Sequence, residues 1–357
     1  MAPNHAKKIM NKINILGKIA LFFLCFLGFT VYAESNIVNV YAWAGYLPNE
    51  VLQRFTRETG IEVNLSEYDS NETMYAKLKT AKNAGYDLVI PSSYFVDRMT
   101  KQNMLQQLDK TRLPNFKYLN PFFLHRDFDP ANDYSIPHLW GTCGIVINTK
   151  YIKEKDVTSW QDLWNHKYKN QLLMLSDPRD VFAMGLLTLG YSPNDTEPQH
   201  LHQAYQKLLT LIPNIKIFNS DAEQTIYIDE DAIIGMGWNG DVYISQQENP
   251  SLRYIYPQEG FILWIDSLVM MKNAPHADNA YKFINFLLRP EIAKIISETT
   301  AYSTPNLEAM KLLPAKMRNN PIINPNPEIL KRSKIQVDIS GTLPLYEKYW
   351  ETLKLGG

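Results

Sequence analysis

Trp264 and Asp266 stand two apart in the apolar run Phe261-Ile262-Leu263-Trp264-Ile265-Asp266-Ser267. Residues two apart on a strand share a face, so the indole and the carboxylate would lie side by side. That pair suits an organic ammonium ion: the ring face attracts the cation and the carboxylate neutralises it. A core tryptophan beside an aspartate that caps the next turn would read the same way in isolation. The pattern recurs, however, after other strands that the sequence predicts. Trp43 and Tyr46 follow the first, and Ser92, Ser93 and Tyr94 follow the third. Asp177 and Asp180 follow a strand at Leu172-Leu175, and Trp238 and Asp241 follow one at Ala232-Met236. Basic residues are nearly missing from these loops, Arg179 being the exception.

Other chemistries are poorly supported. Gly235-Met236-Gly237-Trp238-Asn239-Gly240 matches the dinucleotide fingerprint G-x-G-x-x-G and follows a strand. Yet Trp238 stands where backbone must approach a pyrophosphate, Asp241 would repel it, and Pro250 cuts the next helix short. His200 and His202 are isolated among polar residues. There is no H-E-x-x-H, no cysteine cluster and no G-x-S-x-G, so zinc, other metal and nucleophile-elbow chemistry have no residues to work with. Plainer readings stand beside the binding one. Acids at Asp177 and Asp180 favour a helix N-terminus without any ligand, and the aromatics could cover a sheet edge. Taken together, acids and rings at strand ends favour a cation with apolar spacers. A linear polyamine has that form, with ammonium groups for the carboxylates and methylenes for the rings, and burying it demands such pairing.

The elements that would position these residues are an alternation of strands and helices. Ile37-Tyr41 reads as a strand, Pro48 opens a helix that Gly60 closes, and Glu62-Leu65 is a second strand. Asn71 would cap a helix to about Lys82, and Asp87-Ile90 is a third strand. This order predicts an α/β fold with a parallel sheet, whose ligands bind beyond the carboxyl ends of the strands. A looser region with Pro114, Pro121 and Pro130 leads to a further strand at Gly144-Asn148 and a second α/β region. Later strands fall at Ile215-Phe218, Ala232-Met236, Arg253-Tyr256 and Phe261-Asp266. Helices follow near Asp278-Leu288, Glu291-Thr299 and Leu345-Leu355.

Composition is that of a globular chain of 357 residues, 45% hydrophobic and 20% charged, long enough for more than one core. A net charge of -1 carries no nucleic-acid footprint. Lys7, Lys8, Lys12 and Lys18 precede the apolar run Ile19-Leu27, and Val31-Tyr32-Ala33 offers a small residue at a cut. This is the pattern of a signal peptide over residues 1–33, cleaved near Ala33, and the run is short for a membrane anchor. Export leaves Cys143 alone in the mature chain, so no internal disulfide is expected. No second apolar run is long enough to span a bilayer, so the mature protein is not expected to be membrane-inserted.

Several stretches carry a resemblance: Ser70-Asn71-Glu72-Thr73-Met74-Tyr75-Ala76-Lys77-Leu78-Lys79, Asp87-Leu88-Val89-Ile90-Pro91-Ser92, Asn132-Asp133-Tyr134-Ser135-Ile136-Pro137, Thr158-Ser159-Trp160-Gln161-Asp162-Leu163-Trp164 and Phe283-Ile284-Asn285-Phe286-Leu287-Leu288-Arg289-Pro290. Across nearly the whole mature chain it resembles the periplasmic spermidine/putrescine-binding proteins of ABC importers. The resemblance implies a two-lobed periplasmic-binding-protein fold (type II), each lobe a central sheet flanked by helices, closing on ligand as a hinged clamp. Lobes are expected at 34–141 plus 266–310 and at 142–265 plus 311–357. It implies a monomer that delivers polyamine to inner-membrane ABC permease subunits, with no catalysis, cofactor or nucleic acid. A sensor that docks on a signalling receptor is the alternative.

Carried over position by position, the resemblance places polyamine contacts at Trp43, Tyr46, Ser92, Tyr94, Asp177, Asp180, Ser220, Trp238, Trp264, Asp266, Tyr302 and Gln336. Trp238 and Trp264 would wall the methylene chain, Asp266 would pair with one ammonium, and Asp177 with Asp180 would hold the other end. Departures exist. Spermidine receptors carry an acid where this chain has Gly45, and typically Glu where Asp180 stands. Asp241 is like the putrescine receptors, whereas Tyr94, Asp177, Trp264 and Gln336 are spermidine-like. Spermidine is expected first and putrescine close behind.

Overall fold

A computed structural model describes residues 36–80 and 85–355. The expected signal peptide and its expected cut near Ala33 lie outside the described residues. In chain order the principal elements are β1 (Ile37–Trp43), α1 (Asn49–Thr59), β2 (Glu62–Tyr68), α2 (Asn71–Thr80), β3 (Leu88–Val89) and α3 (Ser93–Lys101). Then come β4 (Ser135–Asn148), β5 (Leu172–Met174), α4 (Pro178–Thr188), α5 (Pro198–Leu209), β6 (Ile215–Phe218), α6 (Glu223–Ile228), β7 (Ile234–Trp238) and α7 (Asn239–Glu248). Last are β8 (Leu252–Ile255), β9 (Phe261–Met270), α8 (Ala277–Leu287), α9 (Pro290–Thr300), β10 (Ser333–Lys334) and α10 (Leu343–Lys354).

Local signals explain many of these. α1 starts after Pro48 and stops at Gly60, which takes the left-handed φ of 73° and returns its N–H to the Thr56 carbonyl. The same helix buries Val51 and Phe55, four apart on one face, and Phe55 packs edge-on against Phe283 at 4.8 Å. Full burial of such a ring stabilises the fold by about 1.5–3 kcal/mol. Asp177 caps α4 by accepting from the Asp180 N–H at 3.0 Å, with Pro178 in the first turn. The expected helix at Trp160–Trp164 is a 3₁₀ helix, closed by reciprocal bonds between Ser159 and Asp162.

The described strands form one sheet in the order β2-β1-β3-β9-β4-β7-β5-β6, with β10 beside β9 and β8 beside β4. β1, β2 and β3 run parallel, as do β5, β6 and β7. β4 and β9 lie antiparallel to each other and to β7 and β3 respectively, so the sheet is mixed rather than purely parallel. Both central strands also run longer than their sequence predicts. Pro137, His138, Gly141 and Thr142 interrupt the apolar run of β4, yet every residue of that strand is buried. Strands lie along both its edges and helices cover its faces, so neither alternation nor continuous apolarity is required.

Side chains alternate between cores on opposite faces. Around β1–β3, Val38, Val40, Phe55 and Phe283 fill one face; Tyr41, Met74, Phe95 and Met99 fill the other. Around β5–β7, Leu172, Met174 and Phe182 pack on one face and Leu173, Tyr227 and Val242 on the other. β4 passes from the first group to the second, Ile136 and Leu139 lying in one and Ile145 and Ile147 in the other. β9 passes back, from Ile262 to Leu268 and Met270. The result is a two-lobed α/β fold whose lobes share one sheet. Cys143 is free and buried. Among the described residues no helix is long and apolar enough to cross a membrane.

Candidate functional site

The carboxyl ends of the strands converge on a cleft of about 340 Å³. All thirteen positions singled out from sequence line it: Trp43, Tyr46, Ser92, Tyr94, Asp177, Asp180, Ser220, Trp238, Asp241, Trp264, Asp266, Tyr302 and Gln336. Ala44, Tyr68, Asp69, Asn71 and Asp221 join them. Six carboxylates and seven aromatic rings therefore face this space, and no Lys, Arg or His is among its lining residues. His200 lies elsewhere, stacked on Tyr191 and bonded to Asp195. Among the described residues no cluster of His, Cys, Asp and Glu could hold a metal ion.

Asp266 is 2% exposed and held by two hydroxyls. Ser92 donates to its Oδ1 at 2.6 Å and Tyr46 to its Oδ2 at 2.7 Å. Burial pushes this carboxyl up to about 6, while the two hydroxyl bonds pull it back. Ser92 is itself positioned by Asn71, whose Nδ2 donates to the Ser92 hydroxyl and to the Tyr94 hydroxyl, both at 3.1 Å. The Asn71 side chain thus serves the cleft rather than the helix start. Ser70 takes the capping role, accepting from the Thr73 N–H at 3.2 Å.

At the other end, Asp180 accepts from the Trp238 indole N–H and from Gln336 Nε2, each at 3.2 Å. Burial, then the charge of neighbouring Asp177, raises the Asp180 carboxyl; burial also raises Asp177. The nearby Arg179 does not enter the cleft. Its guanidinium lies 5.2 Å from the Tyr94 ring centre and donates to the Val337 carbonyl. Asp241 accepts from Gln224 at 2.6 Å and from the Tyr302 hydroxyl.

The rings form the walls. Trp264 meets Tyr302 edge-on at 4.8 Å, and Trp43 lies 4.8 Å from Tyr68. Trp264 fits because Gly141 is its direct neighbour on β4. A Cβ at Gly141 would collide with the indole, and one at Gly240 would collide with the Tyr302 ring. Gly235 and Gly237 are likewise pressed against the Leu173 backbone and Val146. The glycine spacing that mimics a nucleotide fingerprint is thus a packing requirement, of the sheet at Gly235 and Gly237 and of the cleft wall at Gly240.

Glu223 went unread in the sequence. It is 3% exposed, and its Oε1 accepts from the Trp238 N–H at 3.2 Å. Burial and the Asp241 charge push it well above the usual carboxylate range. It opens a short helix among polar neighbours, with no pattern to mark it. Tyr68 and Asp69, by contrast, repeat the aromatic-and-acid signature after β2. They escaped because the strand reads as ending at Leu65.

Two lobes, a shared mixed sheet and a cleft at its crossing strands define the periplasmic-binding-protein fold. The chain belongs to the bacterial extracellular solute-binding protein family, whose sequence profile matches residues 50–325. It is 46% identical to the spermidine/putrescine-binding periplasmic protein of Escherichia coli, over 90% of this chain and 93% of that protein. Identity to the Salmonella typhimurium protein of the same name is 45%, over 91% and 93% of the two chains. A solved structure, the spermidine/putrescine ABC transporter substrate-binding protein of Streptococcus pneumoniae in complex with calcium and HEPES, superposes with a TM-score of 0.80. It is 36% identical and covers 90% of this chain and 99% of that one.

Proposed function

We propose that this chain is a periplasmic receptor that binds a linear polyamine, spermidine first and putrescine next, and delivers it to an ABC importer permease by lobe closure. One observation carries the reading: a cleft with six carboxylates and seven rings is lined by no basic side chain. Such a site is short of positive charge, and an ammonium chain supplies it. Asp266 pairs with one ammonium, Asp177 and Asp180 with another, and Trp238 and Trp264 cover the methylenes between them. The lobes divide at 141/142 and 265/266. In support, the crossing strands change cores near one level: the partners Trp140 and Ile265 pack in the first lobe, and the partners Cys143 and Ile262 in the second.

Calorimetric titration with putrescine, cadaverine, spermidine and spermine tests this. Spermidine is expected to bind most tightly, in the micromolar range or better; no binding below about a millimolar for any of the four would refute the reading.

The raised carboxyls add a pH dependence. An ammonium ligand favours their ionised forms, so binding expels protons, and affinity should hold at pH 8 and fall as the pH drops below about 6. For the ligand-free protein the sign reverses. A raised carboxyl stabilises the fold fully below the ordinary value of about 4 and loses that contribution as pH rises through about 6. Thermal melts with and without saturating spermidine should therefore diverge most at high pH; parallel curves would refute this linkage.

A further inference from the structure

Gln336 reaches the cleft from a stretch with no regular structure, residues 335–339, between β10 and α10. It is nonetheless 5% exposed and fixed on Asp180. Side chains of both lobes hold the stretch. From α3, Ser93 donates to the Gln336 carbonyl at 3.0 Å and Asp97 accepts from the Asp338 N–H at 3.1 Å. Arg98 Nε donates to Asp338 Oδ1 at 3.0 Å, with the two side chains only 6% and 8% exposed. From the other lobe, Asn194 clips the backbone, donating to the Ile335 carbonyl at 2.9 Å and accepting from the Val337 N–H at 3.0 Å.

None of Arg98, Asp338 and Asn194 lines the cleft. A buried ion pair is an inefficient way to stabilise a fold, since apolar replacements often serve as well. What it does supply is position, because the geometry of a guanidinium and a carboxylate is specific. Resting on the polyamine-receptor reading above, we propose that Arg98, Asp338 and Asn194 are positioning residues for the ligand. Arg98 of one lobe, acting on Asp338, and Asn194 of the other hold residues 335–338 between them, and so keep Gln336 in place against Asp180. The placement of Gln336 in the cleft then depends on groups that never touch the polyamine, and loosening them speeds its release.

A double-mutant cycle on the full mature chain tests this, with spermidine as the titrant. Arg98→Met and Gln336→Ala are each expected to weaken binding about tenfold, and the double variant no more than the worse single, because both act through one contact. Arg98→Lys should restore part of the loss. Additive losses, or wild-type affinity in Arg98→Met, would overturn the proposal. If Arg98→Met does not fold, Asn194→Ala enters the same cycle from the opposite lobe and is judged by the same outcomes. A wild-type chain that binds no polyamine sinks the receptor reading and this proposal with it. A wild-type chain that binds, but shows no coupling, sinks this proposal alone.

Discussion

Asp266→Ala should cost about 3 kcal/mol of spermidine affinity, roughly a 100-fold weaker Kd. The reason lies in how the carboxylate is held. Ser92 and Tyr46 spend their hydroxyl protons on it, so both oxygens are oriented before a ligand arrives. An ammonium buried opposite an alanine would lose its counter-charge and face two hydroxyls set for an acceptor. Asp266→Asn separates charge from shape. It should lose most of the same affinity while melting no lower than wild type without ligand at pH 8, since it removes a buried ionised group whose folded form prefers a proton. An Asn variant that binds as tightly as wild type would remove Asp266 from the proposed site.

The second large effect is on stability alone. Asp87 is fully buried at the start of β3, far from the strand ends that form the cleft. Its carboxylate accepts from the Asn39 N–H at 2.7 Å, the His276 N–H at 2.6 Å and the His276 ring at 3.0 Å. One side chain thus ties β1, β3 and the beginning of α8. Asp87→Ala strands two backbone donors, each costing about 1–3 kcal/mol, so a loss of about 3 kcal/mol is expected in denaturant unfolding. Spermidine affinity should be unchanged in the folded fraction. A variant of wild-type stability would mean that water replaces the carboxylate without cost.

How much of this was legible in the sequence depends on how local each cause is. Trp264 and Asp266 could be read because a strand places residues two apart on one face, and that needs no distant partner. Asp177 could be read as a cap for the same reason. Asn71 looked equally local and was not. Its side chain crosses to Ser92 and Tyr94, and tertiary bonding prevailed over capping preference. Tyr68 and Asp69 were lost to a strand read three residues short, where Ser66 and Glu67 end the apolar alternation. Gly141 and Gly240 have reasons that lie far along the chain, in the rings of Trp264 and Tyr302. β4 was read at less than half its length because burial on both faces removes the periodicity by which strands are recognised.

The shared sheet also dictates when this protein can fold. β3 completes the sheet around β1 only by pairing with β9, Leu88 against Met270. β4 likewise waits for β9 over most of its length. A chain made from its N-terminus therefore exposes an unfinished half-sheet until residue 270 has emerged. Contacts so distant in sequence make folding slow, in the range of milliseconds to seconds or beyond. Proteins that cross a membrane unfolded profit from such a delay, because it keeps the chain threadable in the meantime.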